Sequence, residues 1–227
     1  MTTQNRTKQS VFIVRYGLTE HALVEDVGPF DSDIDPNEGV EHASAIATRI
    51  ANDPDKPTVV FSSPFLRTSH TASILAKELN TLVKIEEGLT EWQSPSLLIN
   101  KDTGKKTEPK SVAELAETLG NIDTKYVSQN PTTSKEGPKF PEDEGDLCDR
   151  CKATWNKLLQ SCSTDYESIA IVSHAPCDQA LAYYIQESVL PPWPMGGITK
   201  FSRTILTSSN ECTSWEMEFY GDSQHVS

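Results

Sequence analysis

The sequence predicts a three-layer α/β/α sandwich around a mostly parallel sheet, and three observations lead there. Ser10 to Val14, Thr58 to Ser62 and Ile169 to Val172 are short, apolar throughout their centres and rich in β-branched residues, the pattern of strands covered on both faces. Between them apolar residues recur at helical spacing, so strands and helices alternate. At the end of the chain, Ile198 to Ile205 and Ser214 to Phe219 alternate in character on either side of Ser208-Ser209-Asn210, as an antiparallel pair at a sheet edge does.

The first strand ends abruptly at Arg15, Tyr16 and Gly17. Asp35, Pro36 and Glu38 then read as a helix start, with Asp as the cap, Pro in the first turn and Glu three residues after the cap. Ala43, Ile46, Ala47 and Ile50 give that helix one apolar face. After the second strand, Ser63-Pro64 repeats the cap and proline signal, and Ala72, Leu75, Ala76 and Leu79 form the core face that follows. Arg67 falls one turn in from the positive end of this helix. A short strand around Val83 to Glu86 leads into Gly88, Thr90, Glu91 and Trp92.

Residues 93 to about 141 are rich in Pro, Lys, Ser and Thr and weakly periodic, with one helix near Val112 to Leu119. They predict an inserted lid region leaving the sheet edge. Helical character returns from Leu147 to Leu159, and a last helix from about Cys177 to Glu187 places Ala180, Leu181 and Tyr184 on its core side. The expected division is a flexible tail over residues 1–9, one domain over 10–221 and a short tail over 222–227.

With 20 Lys and Arg against 33 Asp and Glu, the formal net charge is −13, which argues against direct nucleic-acid binding and against anionic membranes. An anionic ligand would need a local basic pocket. The polar first ten residues lack the apolar stretch of a signal peptide, and no run approaches the roughly 18 apolar residues of a membrane span. A location in the cytosol or nucleus is the expectation. The five cysteines are an odd number and scattered, so reduced thiols are expected. Cys148 and Cys151 have the spacing of a redox or zinc motif, but no second ligand pair accompanies them, and neither a metal nor a cofactor is predicted.

Chemistry gathers at the strand ends. Arg15 and Tyr16 follow the first, Ser62 and Ser63 lead from the second to Arg67, Glu91 follows the short strand and His174 follows Ile169 to Val172. Ligands of open α/β sheets sit beyond the carboxyl ends of the strands, so these separated residues converge on one pocket. Two arginines, a histidine and helix-start amides there would hold a phosphate or phosphomonoester through charge-assisted hydrogen bonds.

Val14-Arg15-Tyr16-Gly17 with Thr19, Ser62-Ser63-Pro64-Phe65-Leu66-Arg67-Thr68, Leu89-Thr90-Glu91-Trp92 and Val172-Ser173-His174-Ala175 occur in an order and spacing that resemble the histidine phosphatase superfamily, with its phosphoglycerate-mutase-like fold. Within it, the blocks resemble the branch holding the phosphatase-like subunit of yeast transcription factor IIIC and the phosphatase domains of ubiquitin-associated, SH3-containing regulators. The resemblance implies that Arg15, Arg67 and His174 hold the phosphoryl oxygens, with Thr19 beside them, and that Glu91 is a candidate proton donor to the leaving group. It also implies a nucleophilic histidine directly after the first arginine, where this chain has Tyr16.

A tyrosine hydroxyl titrates near pH 10, so only about one in a thousand is ionised at pH 7, although two guanidinium groups would favour the phenolate. A phosphotyrosine also lacks the labile P–N bond of a phosphohistidine. The leading expectation is therefore a phosphate-binding protein with impaired or absent phosphatase activity and a regulatory or interaction role. The alternatives are an active phosphomonoesterase using Tyr16, His21 or water as nucleophile, and a protein-interaction scaffold with no ligand. Tyr183, Tyr184 and Trp193, with Pro191, Pro192 and Pro194, and the region from 93 to 141, are the expected partner surfaces or, equally, a lid folded over the pocket. His70 shares a helix face with Arg67 and either lines the pocket or packs structurally. A mutase is disfavoured without the relay histidine, and the chain carries neither a dinucleotide-binding glycine turn nor a Walker loop.

Overall fold

The computed structural model describes residues 6–20, 31–100, 103–162, 168–187, 191, 193–206 and 211–226. They build a seven-stranded sheet from β1 (Arg6–Arg15), β2 (Val59–Ser62), β3 (Val83–Ile85), β4 (Ser168–Ser173), β5 (Ile198–Leu206), β6 (Glu211–Cys212) and β7 (Glu216–Asp222). The order is β3-β2-β4-β1-β5-β6, with β7 also paired to β5. The four strands from β3 to β1 are parallel, and β5, β6 and β7 are antiparallel. Helices α1 (Glu38–Ala51), α2 (Leu66–Glu78), α3 (Pro95–Leu98), α4 (Val112–Leu119), α5 (Glu144–Cys162) and α6 (Ala175–Gln186) complete it.

The continuous apolar runs are explained by burial on both sheet faces. Along β1, Val11 and Ile13 join one core cluster while Phe12 and Val14 join the other. β4 divides in the same way, Ile169 and Ile171 against Ala170 and Val172. The first cluster takes Leu147, Cys151, Trp155 and Leu158 from α5 and Leu181 from α6. The second takes Ile46 and Ile50 from α1, Leu75 from α2 and Leu115 from α4. Successive side chains of a strand point to opposite faces, so an uninterrupted apolar run is what a sheet between two helical layers requires.

Several boundaries move for identifiable reasons. Residues 6–9, expected in a flexible tail, extend β1 because β5 pairs along its whole length, Arg6 opposite Leu206. At the other end, residues 224–226 form a short helical turn rather than a free tail, and Val226 packs against the second core cluster. Asp35 accepts the backbone N–H groups of Asn37 and Glu38 at 2.9 and 2.8 Å, closing the turn ahead of α1. Ser63 does not cap α2. The helix begins later, and Asp31 accepts the Leu66 N–H at 2.7 Å instead.

The inserted segment leaves beside the edge strand β3 and is anchored there. Ile122 makes a parallel bridge to Val83, and Leu115, Leu119 and Ile122 belong to the second core cluster. Ser111 caps α4 in a reciprocal arrangement with Glu114, and Gly120 ends it at φ 83°, a left-handed conformation suited to glycine. Glu86, wholly buried, holds the returning chain. Its two oxygens accept from Tyr126 Oη at 2.8 Å, Ser128 Oγ at 2.6 Å and the backbone N–H groups of Gly88, Gln129 and Asn130 at 3.1, 2.8 and 3.0 Å.

Candidate functional site

The strand register brings the candidate residues level. Arg15 lies opposite Ser173 in the β1–β4 pair, and Ser62 lies opposite both Val172 and Ile85. Tyr16, His174 and Ser63, each one residue farther, therefore leave the sheet side by side at its carboxyl edge. The Ser63 N–H continues the ladder by one bond, donating to the Val172 carbonyl at 3.1 Å.

Three charged or titratable side chains meet there. Arg67 Nη2 lies 3.0 Å from Glu91 Oε2 and 3.0 Å from His174 Nδ1, and the same Glu91 oxygen is 3.1 Å from His174 Nδ1. His174 is wholly buried, and Arg67 and Glu91 are each only 8% exposed. Ser63 Oγ closes the ring on its far side, 2.8 Å from His174 Nε2. The use of Ser63 here explains why another residue caps α2.

Burial pushes the His174 imidazole down to about 4, with the Arg67 and Arg150 charges acting in the same direction against the pull of Glu91. The ring is thus neutral at neutral pH. Nδ1 faces both the Arg67 Nη2 donor and the Glu91 carboxylate oxygen, and Nε2 is hydrogen-bonded to Ser63 Oγ. Burial alone would raise the Glu91 carboxyl. Its contacts with His174 and Arg67 and the Trp92 N–H hold it instead at about 2. In this arrangement the Glu91 carboxylate orients Arg67.

Tyr16 lies against the same group. Its ring stands 5.6 Å from the His174 ring at 66°, with the Arg67 guanidinium carbon 5.0 Å and that of Arg15 5.7 Å from its centroid. Phe65 backs the imidazole from another side, 5.4 Å away at 87°. Arg15 donates from Nη1 to the Trp193 carbonyl, its N–H donates to the Gly197 carbonyl at 3.1 Å, and Gly196 N–H donates to the Tyr16 carbonyl at 3.0 Å. Residues 193–197 thereby form one wall. Gly17 packs where a Cβ would lie 2.8 Å from the Gly39 carbonyl oxygen, which fixes the loop after Tyr16 against α1.

Of the residues expected from sequence, Arg15, Tyr16, Arg67, Glu91 and His174 come together. Thr19 is buried farther along the loop, bridged to Ile34, and its hydroxyl makes no hydrogen bond to the others among the described residues. His70 pairs with Asp33, Nδ1 to Oδ1 at 2.8 Å. His21 lies outside the described residues. Trp193 is not a partner surface: it is 1% exposed, stacks against Tyr220 at 5.0 Å and donates from Nε1 to the Gly197 carbonyl at 3.2 Å. Tyr183 is exposed on α6.

Sequence reading missed Ser63 as a histidine partner, Asp31 as the α2 cap, and Arg150 with Glu142. Arg150 sits in the Cys148 to Cys151 segment and is 2% exposed. A charged residue flanked by other charges in a helix reads as surface, and no local signal marks its burial. Among the described residues no group of three His, Cys, Asp or Glu side chains is arranged to hold a metal ion, and no helix is long and apolar enough to cross a membrane.

The profile of the histidine phosphatase superfamily, branch 1, matches residues 11–222. The chain is similar to the transcription factor tau 55 kDa subunit of Saccharomyces cerevisiae, 28% identical over 183 residues, covering 76% of this chain and 40% of the relative. It is also similar to the human ubiquitin-associated and SH3 domain-containing protein A, 33% identical over 156 residues, covering 64% of this chain and 21% of that one. The chain therefore spans less than half the length of these relatives. Among solved structures, the ecdysone phosphate phosphatase from Bombix mori in complex with tungstate superposes with a TM-score of 0.69 at 13% identity, covering 94% of this chain and 93% of that one, a likeness of fold.

Proposed function

Because the chain belongs to the histidine phosphatase superfamily, we propose that it binds phosphate or a phosphomonoester at Arg15, Arg67 and His174 and turns such esters over slowly or not at all. The observation that carries this reading is the Tyr16 ring, held against His174 and under Arg67 where the family places its nucleophilic imidazole. The cationic part of the pocket is intact while the phosphoryl acceptor is not. Its role is then recognition, as a regulatory or interaction protein. The likeness to a transcription factor subunit supports an assembly role.

The oxyanion chemistry follows from the geometry. Glu91 and His174 both engage Arg67 through Nη2, which leaves the other guanidinium N–H groups for a ligand. The overall charge of −13 makes this local concentration of cations the place where an anion is attracted. A water-based hydrolysis is less favoured: a carboxylate held near 2 is a poor base at neutral pH. Tyr16 as nucleophile would form an aryl phosphate ester that needs a second activated water for release.

Calorimetric titration with tungstate and with phosphate tests the reading. The natural chain should bind both, and Arg67→Ala should bind about 10- to 100-fold more weakly, the range expected for losing a charged hydrogen-bond donor. Unchanged affinity in a folded Arg67→Ala variant would remove Arg67 from the pocket.

A further inference from the structure

We propose that the buried Arg150–Glu142 pair is a positioning device for this site, setting the backbone from Gly88 to Gln93 so that Glu91 reaches Arg67 and His174. The inference rests on the oxyanion-binding reading above and assigns a role to a pair that touches none of the phosphate-contacting groups directly.

Four consecutive backbone carbonyls carry the argument. Gly88 O accepts from Arg150 Nη1 at 2.8 Å, Leu89 O from Ser173 Oγ at 2.8 Å, Thr90 O from Arg150 Nη1 at 3.0 Å and from Cys177 Sγ at 3.0 Å, and Glu91 O from Gln93 Nε2 at 2.8 Å and Arg150 Nη2 at 3.5 Å. Only Gly88 and Leu89 lie in a short helical turn, so side chains replace the regular ladder that would otherwise fix this backbone. Arg150 serves three of the four. It can do so because its guanidinium is planar and forked; a lysine ammonium is a point charge without that reach.

Glu142 holds Arg150 in turn, accepting from Nε at 2.6 Å and from Nη2 at 2.9 Å. It also clasps the far end of the loop. Its Oε2 accepts the Gln93 N–H at 3.0 Å, its own N–H donates to the Gln93 carbonyl at 3.0 Å, and its carbonyl accepts from Trp92 Nε1 at 3.1 Å. Glu91 is therefore held from both sides in sequence, by Thr90 before it and by Trp92 and Gln93 after it. Its carboxylate then takes one nitrogen of Arg67 and fixes the direction of the remaining donors. An oxyanion meets a guanidinium already aimed, and orienting it beforehand is what strengthens binding.

A pair that only filled the core would weaken the fold without regard to Glu91. A pair that works through Glu91 makes the two substitutions non-additive. The test is a double-mutant cycle read by tungstate calorimetry on the natural chain, Arg150→Lys, Glu91→Ala and the double variant, with thermal melting of each. Arg150→Lys should weaken tungstate binding about tenfold or more in the natural background, as misplacement of a positioned group does. In the Glu91→Ala background it should change affinity by no more than about twofold, the limit of ordinary additivity. The same factor in both backgrounds, or no weakening in the natural one, overturns the inference. If Arg150→Lys does not fold, Glu142→Gln takes its place in the cycle with the same two expectations. A natural chain that shows no heat of tungstate binding ends the oxyanion reading itself and this inference with it, an observation distinct from a cycle that proves additive.

Discussion

The Tyr16 ring stands edge-on to the His174 imidazole, 5.6 Å between centroids and 66° between planes. A buried neutral imidazole faces an aromatic side chain where the family's chemistry requires a second imidazole. The rest of the site gathers on Arg67 and His174: Arg67 lies near the same tyrosine, Glu91 orients Arg67, and Ser63 takes the outer nitrogen of His174. In the proposed function, this one side chain separates a pocket for binding from a pocket for turnover.

That separation is measurable. Tyr16→His should raise phosphate release from an activated aryl phosphate by orders of magnitude across pH 4 to 8 (a window chosen to span the imidazole titration), and Tyr16→His combined with Arg67→Ala should lose the gain. No gain from Tyr16→His would overturn the reading that Tyr16 limits turnover.

His174 makes stability depend on pH. The folded ring stays neutral down to about 4 while the unfolded ring takes a proton near 6.5. Between those values the unfolded chain binds more protons, so stability rises with pH and is lost on acidification. The loss attributable to this group is about 3 kcal/mol. Denaturant unfolding at pH 7 and pH 4 should show it in the natural chain, and His174→Gln should have a shallower slope.

Gly88 stands where a side chain has no room. A Cβ there would lie 2.3 Å from Thr154 Oγ1 and 2.9 Å from Asn130 Cβ, inside a network in which Asn130 Nδ2 donates to Thr154 Oγ1 at 2.9 Å. Gly88→Ala should cost about 1–3 kcal/mol of folding stability. Adding Thr154→Ala should recover part of it in denaturant melts, because it removes the oxygen and the methyl group that clash.

Arg15, Arg67 and His174 were legible in the sequence because each stands just past a buried strand or in the first turn of a helix, where local pattern sets the position. Their convergence follows from parallel register alone, Arg15 opposite Ser173 and Ser62 opposite Val172. Serine before proline has the local meaning of a helix cap, yet the Ser63 hydroxyl goes to a histidine 111 residues away, which no local pattern records. Prolines on both sides of Trp193 mark a surface turn, suited to a partner edge or a lid, while the ring itself fills the core behind Arg15. Arg150 and Glu142 are close in sequence, yet charge next to charge in a polar segment carries no sign that both are buried.

Glu86, with five donors on two oxygens, has a thermodynamic consequence. Three of those donors come from the returning chain at Ser128, Gln129 and Asn130, and a fourth from Tyr126. Local opening of that stretch would strand a buried carboxylate beside β3, so the inserted segment and the sheet edge belong to one cooperative unit. Sequence change in the insertion is then constrained from the strand it left.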